Sequence, residues 1–447
     1  MEFKFPEEEE LTLFLKDILE DEVDEKYYLS DEQTEKLLYP EKYNLSSFRQ
    51  RNLIKGDVCQ TLQAAMSHGN TIPLILQVNN PKHSNNRVYL IEGISPTLNT
   101  MQGGNRQPFI LIKNATKKGY LEGYPGDGVN LEQPNSETRR GRIQKDVIGC
   151  LQTNDQRGVI TEDLRIRKLT PKECFRLMGF LNDKINLDGL SNTQRYKLSG
   201  NGWDINLVSK ILKEMNLPDN FKTFEMFAGY GGGSFALKKL EKKFECVGYS
   251  EIDKFASQCY EQNHKAKAVG DCTKINPNEL DDFDLLTGGF PCQSFSVAGK
   301  GLGESDPRGT LFWDIIRVAE VKQPKYMLLE NVKGLLSKKH KETFNKILGE
   351  LDRIGYDVFW KVCNTKKHGI PQNRDRIFFV CFRKDLNCSP NLKSKNNSPE
   401  SLNDERHGGK QTTRAMSVDI NDNIEDSLVS QDSLNSQNLN KESSDEI

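Results

Sequence analysis

The chain has 447 residues and a net charge of −2, with 28% charged and 36% apolar side chains. That length allows two or three folding units, and a charge near zero excludes a global basic field, so a nucleic-acid partner must be met by local patches. Ten cysteines with no C-x-x-C pair indicate neither a zinc ribbon nor a disulfide framework. No apolar run reaches bilayer length, and the acidic start lacks the basic and apolar regions of a signal peptide. The expectation is a cytoplasmic protein with no membrane span and no metal.

Residues 7–55 are acidic, and the spacing of Leu11, Phe14, Leu15, Ile18 and Leu19 predicts a surface helix. A weak repeat follows. Segments 59–63, 95–100 and 150–153 each precede a polar loop and a short apolar run, at 70–76, 106–112 and 157–160. These runs predict short strands in an irregular β-rich unit. Arg139, Arg140, Arg142 and Lys145 surround Gly141; such a cluster can follow a phosphate backbone, and arginine can fork onto guanine edges. A solvated surface loop would look the same.

Thr170-Pro171 with Glu173 and Gly179 predicts a short capped helix. The turn Gly200-Asn201-Gly202 leads to a helix over 205–215. From 221 the pattern alternates. Strands are expected at 221–227, 244–249, 283–286, 326–329, 358–362 and 377–382, with helices at 234–240, 253–263, 311–321 and 341–354. Alternation at this spacing predicts an α/β fold with a doubly wound, mainly parallel sheet.

The chemistry-bearing residues sit at the strand ends. Gly229, Gly231 and Gly232, in Phe227-Ala228-Gly229-Tyr230-Gly231-Gly232, open a helix and let backbone N–H groups approach a cofactor. This loop alone would suit a nicotinamide dinucleotide equally well. Glu251 closes the next strand, where an acid binds ribose hydroxyls, and Asp271 follows a third strand. Gly288-Gly289-Phe290-Pro291-Cys292 turns sharply after a buried strand and presents a candidate nucleophile. Glu330 ends another buried strand, where a carboxylate needs a ligand or partner. Arg374 and Arg376 alternate on an incoming strand and face one side.

Phe-x-Gly-x-Gly-Gly, Gly-Gly-Phe-Pro-Cys-Gln, Glu-Asn-Val and Gln-x-Arg-x-Arg, in this order, closely resemble the DNA (cytosine-5) methyltransferase family. The resemblance is strong over 165–386 and looser over 56–165. It implies a Rossmann-like methyltransferase sheet, S-adenosylmethionine as cofactor, and double-stranded DNA as partner of a monomer. It further implies cofactor contacts at Phe227, Gly229, Gly231, Gly232, Glu251, Asp271, Pro291, Leu311 and Asn201. DNA contacts would lie at Arg139, Arg140, Arg142, Lys145, Gln293 and Ser294. Cys292 would be the nucleophile, Glu330 would hold the base, Arg376 would contact it, and Arg374 would orient Glu330 or the sulfur loop. The Gly-rich segment 296–308 would close as a lid.

The motif order departs from the family, because the capped helix and the Gly200-Asn201 turn come before the cofactor loop. This implies a circular permutation: a recognition region at 1–165, displaced catalytic motifs at 166–216, the cofactor-binding domain at 221–386, and a disordered tail at 388–447. Gly202-Trp203-Asp204 stands where the family carries small and apolar residues. The resemblance implies a bacterial or phage enzyme of restriction-modification type. An RNA cytosine-5 methyltransferase on the same scaffold is the alternative, and a catalytically silent DNA-binding protein is a third reading.

Overall fold

The computed structural model describes residues 2–38, 109–136, 138–181, 184–291 and 311–390. Cys292, Gln293, Ser294, the expected lid, the first two copies of the repeat's leading segments and the expected tail beyond 390 lie outside the described residues.

The chain starts with a two-residue strand, β1 (Glu2–Phe3), and after two 3-10 turns forms α1 (Asp31–Leu37). The expected helix through Leu11–Leu19 is a single 3-10 turn, Leu15–Ile18. Leu15 and Ile18 are buried against Phe175 and Tyr196, so tertiary packing overrides the local periodicity. Phe3 packs edge-on to Phe359, 5.3 Å between centroids, and lies with Phe5 in a core shared with Phe382.

A β-rich unit follows. β2 (Ile110–Lys113) and β3 (Tyr120–Gly123) form a hairpin. β4 (Gly128–Asn130), β5 (Ile143–Gln144), β7 (Arg157–Ile160) and β8 (Ile166–Lys168) form an antiparallel sheet in the order β5-β4-β7-β8, and β6 (Ile148–Gly149) leaves it. The predicted run at 157–160 is β7 itself.

Helix α2 (Pro171–Arg176) begins as its capping pattern requires, with Thr170 accepting from Glu173 N and Pro171 in the first turn. Glu173 also takes a bidentate pair from buried Arg167, at 2.8 and 2.7 Å. α3 (Asn192–Asn201) and α4 (Ile205–Glu214) follow. Between them, Asp204 caps α4 by accepting from Asn206 N at 2.9 Å.

The main sheet then builds from β9 (Phe221–Met226), α5 (Gly232–Lys239), β10 (Phe244–Ser250), α6 (Lys254–Asn263), β11 (Leu285–Gly289), α7 (Leu311–Lys322), β12 (Tyr326–Val332), α8 (Lys341–Arg353), β13 (Tyr356–Asn364) and β15 (Asp375–Arg383). Its order is β10-β9-β11-β12-β15-β13. β10, β9, β11 and β12 run parallel, and β15 inserts antiparallel between β12 and β13. Apolar side chains from both faces fill two cores, one under Phe224 and Phe379 and one under Leu328 and Val380. The strand expected before Asp271 is reduced to one bridge, Tyr249 to Ala268. The short β14 (Gln372–Asn373) pairs with β6, docking the β-rich unit on the sheet.

β16 (Ser389–Pro390) pairs in parallel with β1, Glu2 to Ser389 and Phe3 to Pro390. Cys388 is buried in the same core. Residues 388–390, expected in the tail, therefore belong to the folded body. Among the described residues no helix is long and apolar enough to cross a membrane.

Burial raises the Asp204 carboxyl to about 6, against its cap contacts to Asn206 and Leu207, and its Oδ2 is buried without a partner among the described residues. A folded pKa above the unfolded one means the favourable term is full below pH ~4 and lost as pH rises through ~6. The loss between pH 4 and pH 7 is about 3 kcal/mol. Asp204→Asn keeps the cap and should flatten this decline. Denaturation midpoints measured from pH 4 to 7 should converge with wild type at low pH and exceed it at pH 7.

Candidate active site

The C-terminal ends of β9, β10, β11 and β12 share one rim, since these strands are parallel. Glu330 stands opposite Gly289 in the β11–β12 register and is 8% exposed. Its Oε1 accepts from Arg376 Nε at 2.8 Å and its Oε2 from the indole Nε1 of Trp203 at 3.2 Å. Next to it, Asn331 Nδ2 donates to the Phe290 carbonyl at 3.1 Å. That bond pins the chain two residues before Cys292. Pro291, the last described residue of this turn, is exposed.

Arg374, expected to orient Glu330 or the sulfur loop, spends its hydrogen bonds on main-chain carbonyls. It is buried, 3% exposed, and Nη2 donates to the carbonyls of Gly200 at 3.0 Å and Gly202 at 2.8 Å. Nη1 lies 3.5 Å from the Leu151 carbonyl and 3.4 Å from Cys150 Sγ. Arg374 thus orients the backbone around Asn201 and Trp203, and its charge also acts on the Glu330 carboxylate. Arg376 Nη2 approaches the same sulfur at 3.7 Å. Burial works to raise the Cys150 thiol, but the two guanidinium groups outweigh it and hold the thiol below its ordinary range. Cys150 is therefore a thiol of lowered pKa beside Glu330's partner arginine. In the sequence it is only part of a weak repeat, and no pattern marks it.

On the other half of the rim, Gly231 takes φ +85° at the start of α5, a conformation that glycine adopts without strain. Gly229 N donates to Glu251 Oε2 at 2.9 Å, and Glu251 Oε1 accepts from Ile252 N and Asp253 N. A Cβ added at Gly229 or at Gly270 would meet nothing within 4 Å, so open space fronts both turns. Asp271 accepts from Thr273 N and Oγ1, which holds its carboxyl below the usual range. Phe227 packs on the core beneath; Leu311 begins α7 and Asn201 ends α3. Ile252, absent from the sequence-based candidates, is 80% exposed beside Glu251.

Under the Gly-rich loop lies a buried polar floor. Glu225 accepts from Ser234 N at 3.1 Å, from the Ser234 hydroxyl, and from Tyr260 Oη at 3.0 Å. Burial pushes its carboxyl up. His264 Nε2 lies 3.1 Å from the Tyr230 carbonyl and Nδ1 3.0 Å from Lys238 Nζ. Burial lowers the imidazole to about 3, so the ring is neutral. A carbonyl can only accept, so Nε2 carries the hydrogen and Nδ1 accepts from the lysine.

The basic loop divides. Arg142 is fully buried and donates to the carbonyls of Glu132 at 3.1 Å and Gln133 at 2.6 Å, with Asn130, Pro134 and Ser136 within 3.5 Å. It is the knot of the 130–136 turn and corrects its expected DNA contact. Arg139 pairs with Glu132, which also pairs with Arg157 at 2.9 Å. Arg140 and Lys145 are exposed, Arg140 donating through Nε to the Ala115 carbonyl at 3.1 Å. Among the described residues no group of three His, Cys, Asp or Glu side chains could hold a metal.

A mainly parallel sheet with a Gly-rich first turn and an acid at the next strand end is the Rossmann-like arrangement that suits nucleoside cofactors. The family described as C-5 cytosine-specific DNA methylase matches residues 1–217 and 221–446, and the chain belongs to it. The relatives include Type II methyltransferase M.NgoBI of Neisseria gonorrhoeae, 46% identical over 164 residues, 36% of this chain and 50% of that protein. Type II methyltransferase M.HhaI of Haemophilus parahaemolyticus is 43% identical over 163 residues, 36% of this chain and 49% of that protein. The chain thus spans about half the length of these relatives. Family membership implies use of S-adenosylmethionine, and the open turns at Gly229 and Gly270 beside Glu251 fit such a nucleoside cofactor.

Replacing Arg374 tests its structural work. Arg374→Ala leaves the buried carbonyl at 200 and the half-buried one at 202 without their donor, at about 1–3 kcal/mol each at most. Urea denaturation should show a loss of roughly 2–5 kcal/mol, whereas Arg376→Ala, at the rim, should cost less stability and more activity.

Proposed function

We propose that the chain is a site-specific DNA (cytosine-5) methyltransferase of restriction-modification or phage type. The observation that carries this reading is Glu330. It is a buried carboxylate held on both oxygens at the sheet rim, opposite the strand that leads into Pro291-Cys292. A carboxylate so positioned suits the N3 and exocyclic amine edge of a cytosine. Stacked DNA hides C6, so the base must be flipped out to reach it.

In this mechanism the Cys292 thiolate adds to C6, forming a C–S bond, and the ring electrons shift toward N3 and C5. A proton held between Glu330 and N3 neutralises the charge that develops on the ring. Arg376 keeps Oε1 of Glu330 in place and can reach O2 of the base. Glu251 would bind the ribose hydroxyls, the N–H groups of the Gly229–Gly232 turn would face the cofactor's amino-acid end, Asp271 would accept from the adenine amine, and Ile252 offers an apolar floor. When bound there, S-adenosylmethionine supplies the electrophilic methyl that C5 takes. Loss of the C5 proton and elimination of the Cys292 thiolate release 5-methylcytosine.

The reading includes a circular permutation. Three observations support it: β1 lies against β16, α4 reaches β9 within residues 215–220, and the family match breaks between 217 and 221. A gene with 221–390 placed ahead of 1–216 should give a protein that methylates the same site.

Tritiated S-adenosylmethionine offered with DNA or with RNA should label DNA alone; label in RNA alone would favour the alternative substrate. DNA carrying 5-fluorocytosine should trap the protein covalently, because fluorine cannot leave as a proton does. Peptide mapping should find the adduct on Cys292, and Cys292→Ser should abolish it. An adduct on Cys150 would reassign the nucleophile.

Sequence choice is assigned to the β-rich unit. Arg140→Ala and Lys145→Ala should weaken DNA binding and flatten its salt dependence by about one charge each. Arg142→Met should instead lower the melting temperature with the salt slope unchanged.

A further inference from the structure

We propose that Trp203 is a positioning residue for Glu330, holding the carboxylate in the orientation that meets the flipped base. This rests on the methyltransferase reading above. The two residues are far apart in the chain, and the indole comes from the α3–α4 turn, outside the sheet that carries the carboxylate.

The indole is locked before it meets Glu330. On one side, the Gly202 carbonyl accepts from buried Arg374 at 2.8 Å. At Trp203 itself, the main-chain carbonyl accepts from the Tyr230 hydroxyl, in the cofactor turn. On the other side, Asp204 caps α4. The ring stands edge-on to Phe378, 6.4 Å between centroids at 74°. Two glycines clear its path. A Cβ at Gly289 would lie 2.7 Å from the indole nitrogen, and one at Gly232 would lie 3.0 Å from Trp203 Cβ. The slot is therefore built from the cofactor turn and from the strand that leads into Cys292.

The donor chemistry suits the task. Glu330 Oε1 is held by Arg376 at 2.8 Å and Oε2 by Trp203 at 3.2 Å. The terminal torsion of a glutamate is soft, so one contact would leave the carboxylate plane free to turn. Two donors on different oxygens set the plane. Each oxygen has a second acceptor site, which stays available for the edge of the base. An indole N–H only donates and carries no charge. It therefore cannot compete for the shared proton, and it adds no second cation to the one Arg376 supplies.

Trp203→Phe removes the N–H and keeps an aromatic ring in the slot. Single-turnover methyl transfer to DNA should fall about tenfold, the scale of one hydrogen bond to a charged group, with dissociation constants for DNA and cofactor within about twofold of wild type. In a Glu330→Gln background the same change should cost less than about twofold, since contacting residues are not additive. A readout independent of turnover is the indole ¹⁵N–H spectrum. The chain has three tryptophans, and the resonance lost in Trp203→Phe should move in Glu330→Gln while the other two stay. Equal losses in both backgrounds, or an unmoved Trp203 resonance, overturn this role in a wild type that methylates DNA. A wild type that labels no DNA overturns the methyltransferase reading itself, and the positioning role with it.

Discussion

A buried guanidinium must find acceptors, and Arg374 finds them on two segments that are remote from it in sequence. Its donors reach Gly200, Gly202 and Leu151, so the entry to β15, the α3–α4 turn and the segment after β6 converge on one cation. Burying such a charge without partners would cost several kcal/mol, which makes the convergence a condition of folding. Gln372, two residues earlier, works in the same way, accepting from Leu151 N and donating to the Leu177 carbonyl. Arg376, two residues after Arg374 and just inside β15, inherits its direction from this anchoring and meets Glu330. The placement of the rim chemistry thus follows from satisfying backbone groups beneath it.

The cofactor half of the rim is organised on the same logic with opposite charge. Glu225 is buried under α5 and kept there by the Ser234 and Tyr260 hydroxyls. A neutral His264 joins the Tyr230 carbonyl to Lys238. These contacts fix the backbone of the Gly-rich turn from below, so its upper side remains open. Tyr230 then links the two halves, since its hydroxyl holds Trp203 and its carbonyl rests on His264.

The sequence was most legible where a pattern repeats or a local rule applies. The alternation of buried strands and amphipathic helices after 221, the Thr170–Glu173 capping box and the Gly-rich turn all depend on near neighbours, and all appear close to their expected positions. Residues whose roles depend on distant partners were not legible. Arg142 looked like part of an exposed cationic loop, yet five carbonyls from 130–136 enclose it. Alternation put Arg374 and Arg376 on one face, but Arg374 lies before β15, and nothing local shows that one serves a turn and the other a carboxylate. The spacing of Leu11 to Leu19 suggested a helix, whereas the packing of Leu15 and Ile18 against α2 and α3 favours a single turn. A lone tryptophan after Gly202 carries no pattern, so its contact with Glu330 became visible only in three dimensions.

The pairing of β1 with β16 has a consequence for the timing of folding. Phe3 and Phe5 are synthesised well before their partners at Phe359, Phe382 and Cys388, which share their core. At about 5–20 residues per second, the aromatic start of the chain waits on the order of tens of seconds for its binding surface. Until then it is an exposed apolar segment, and the second core stays open at one end. Closure of this core therefore waits on β13, β15 and β16, however early its aromatic residues are made.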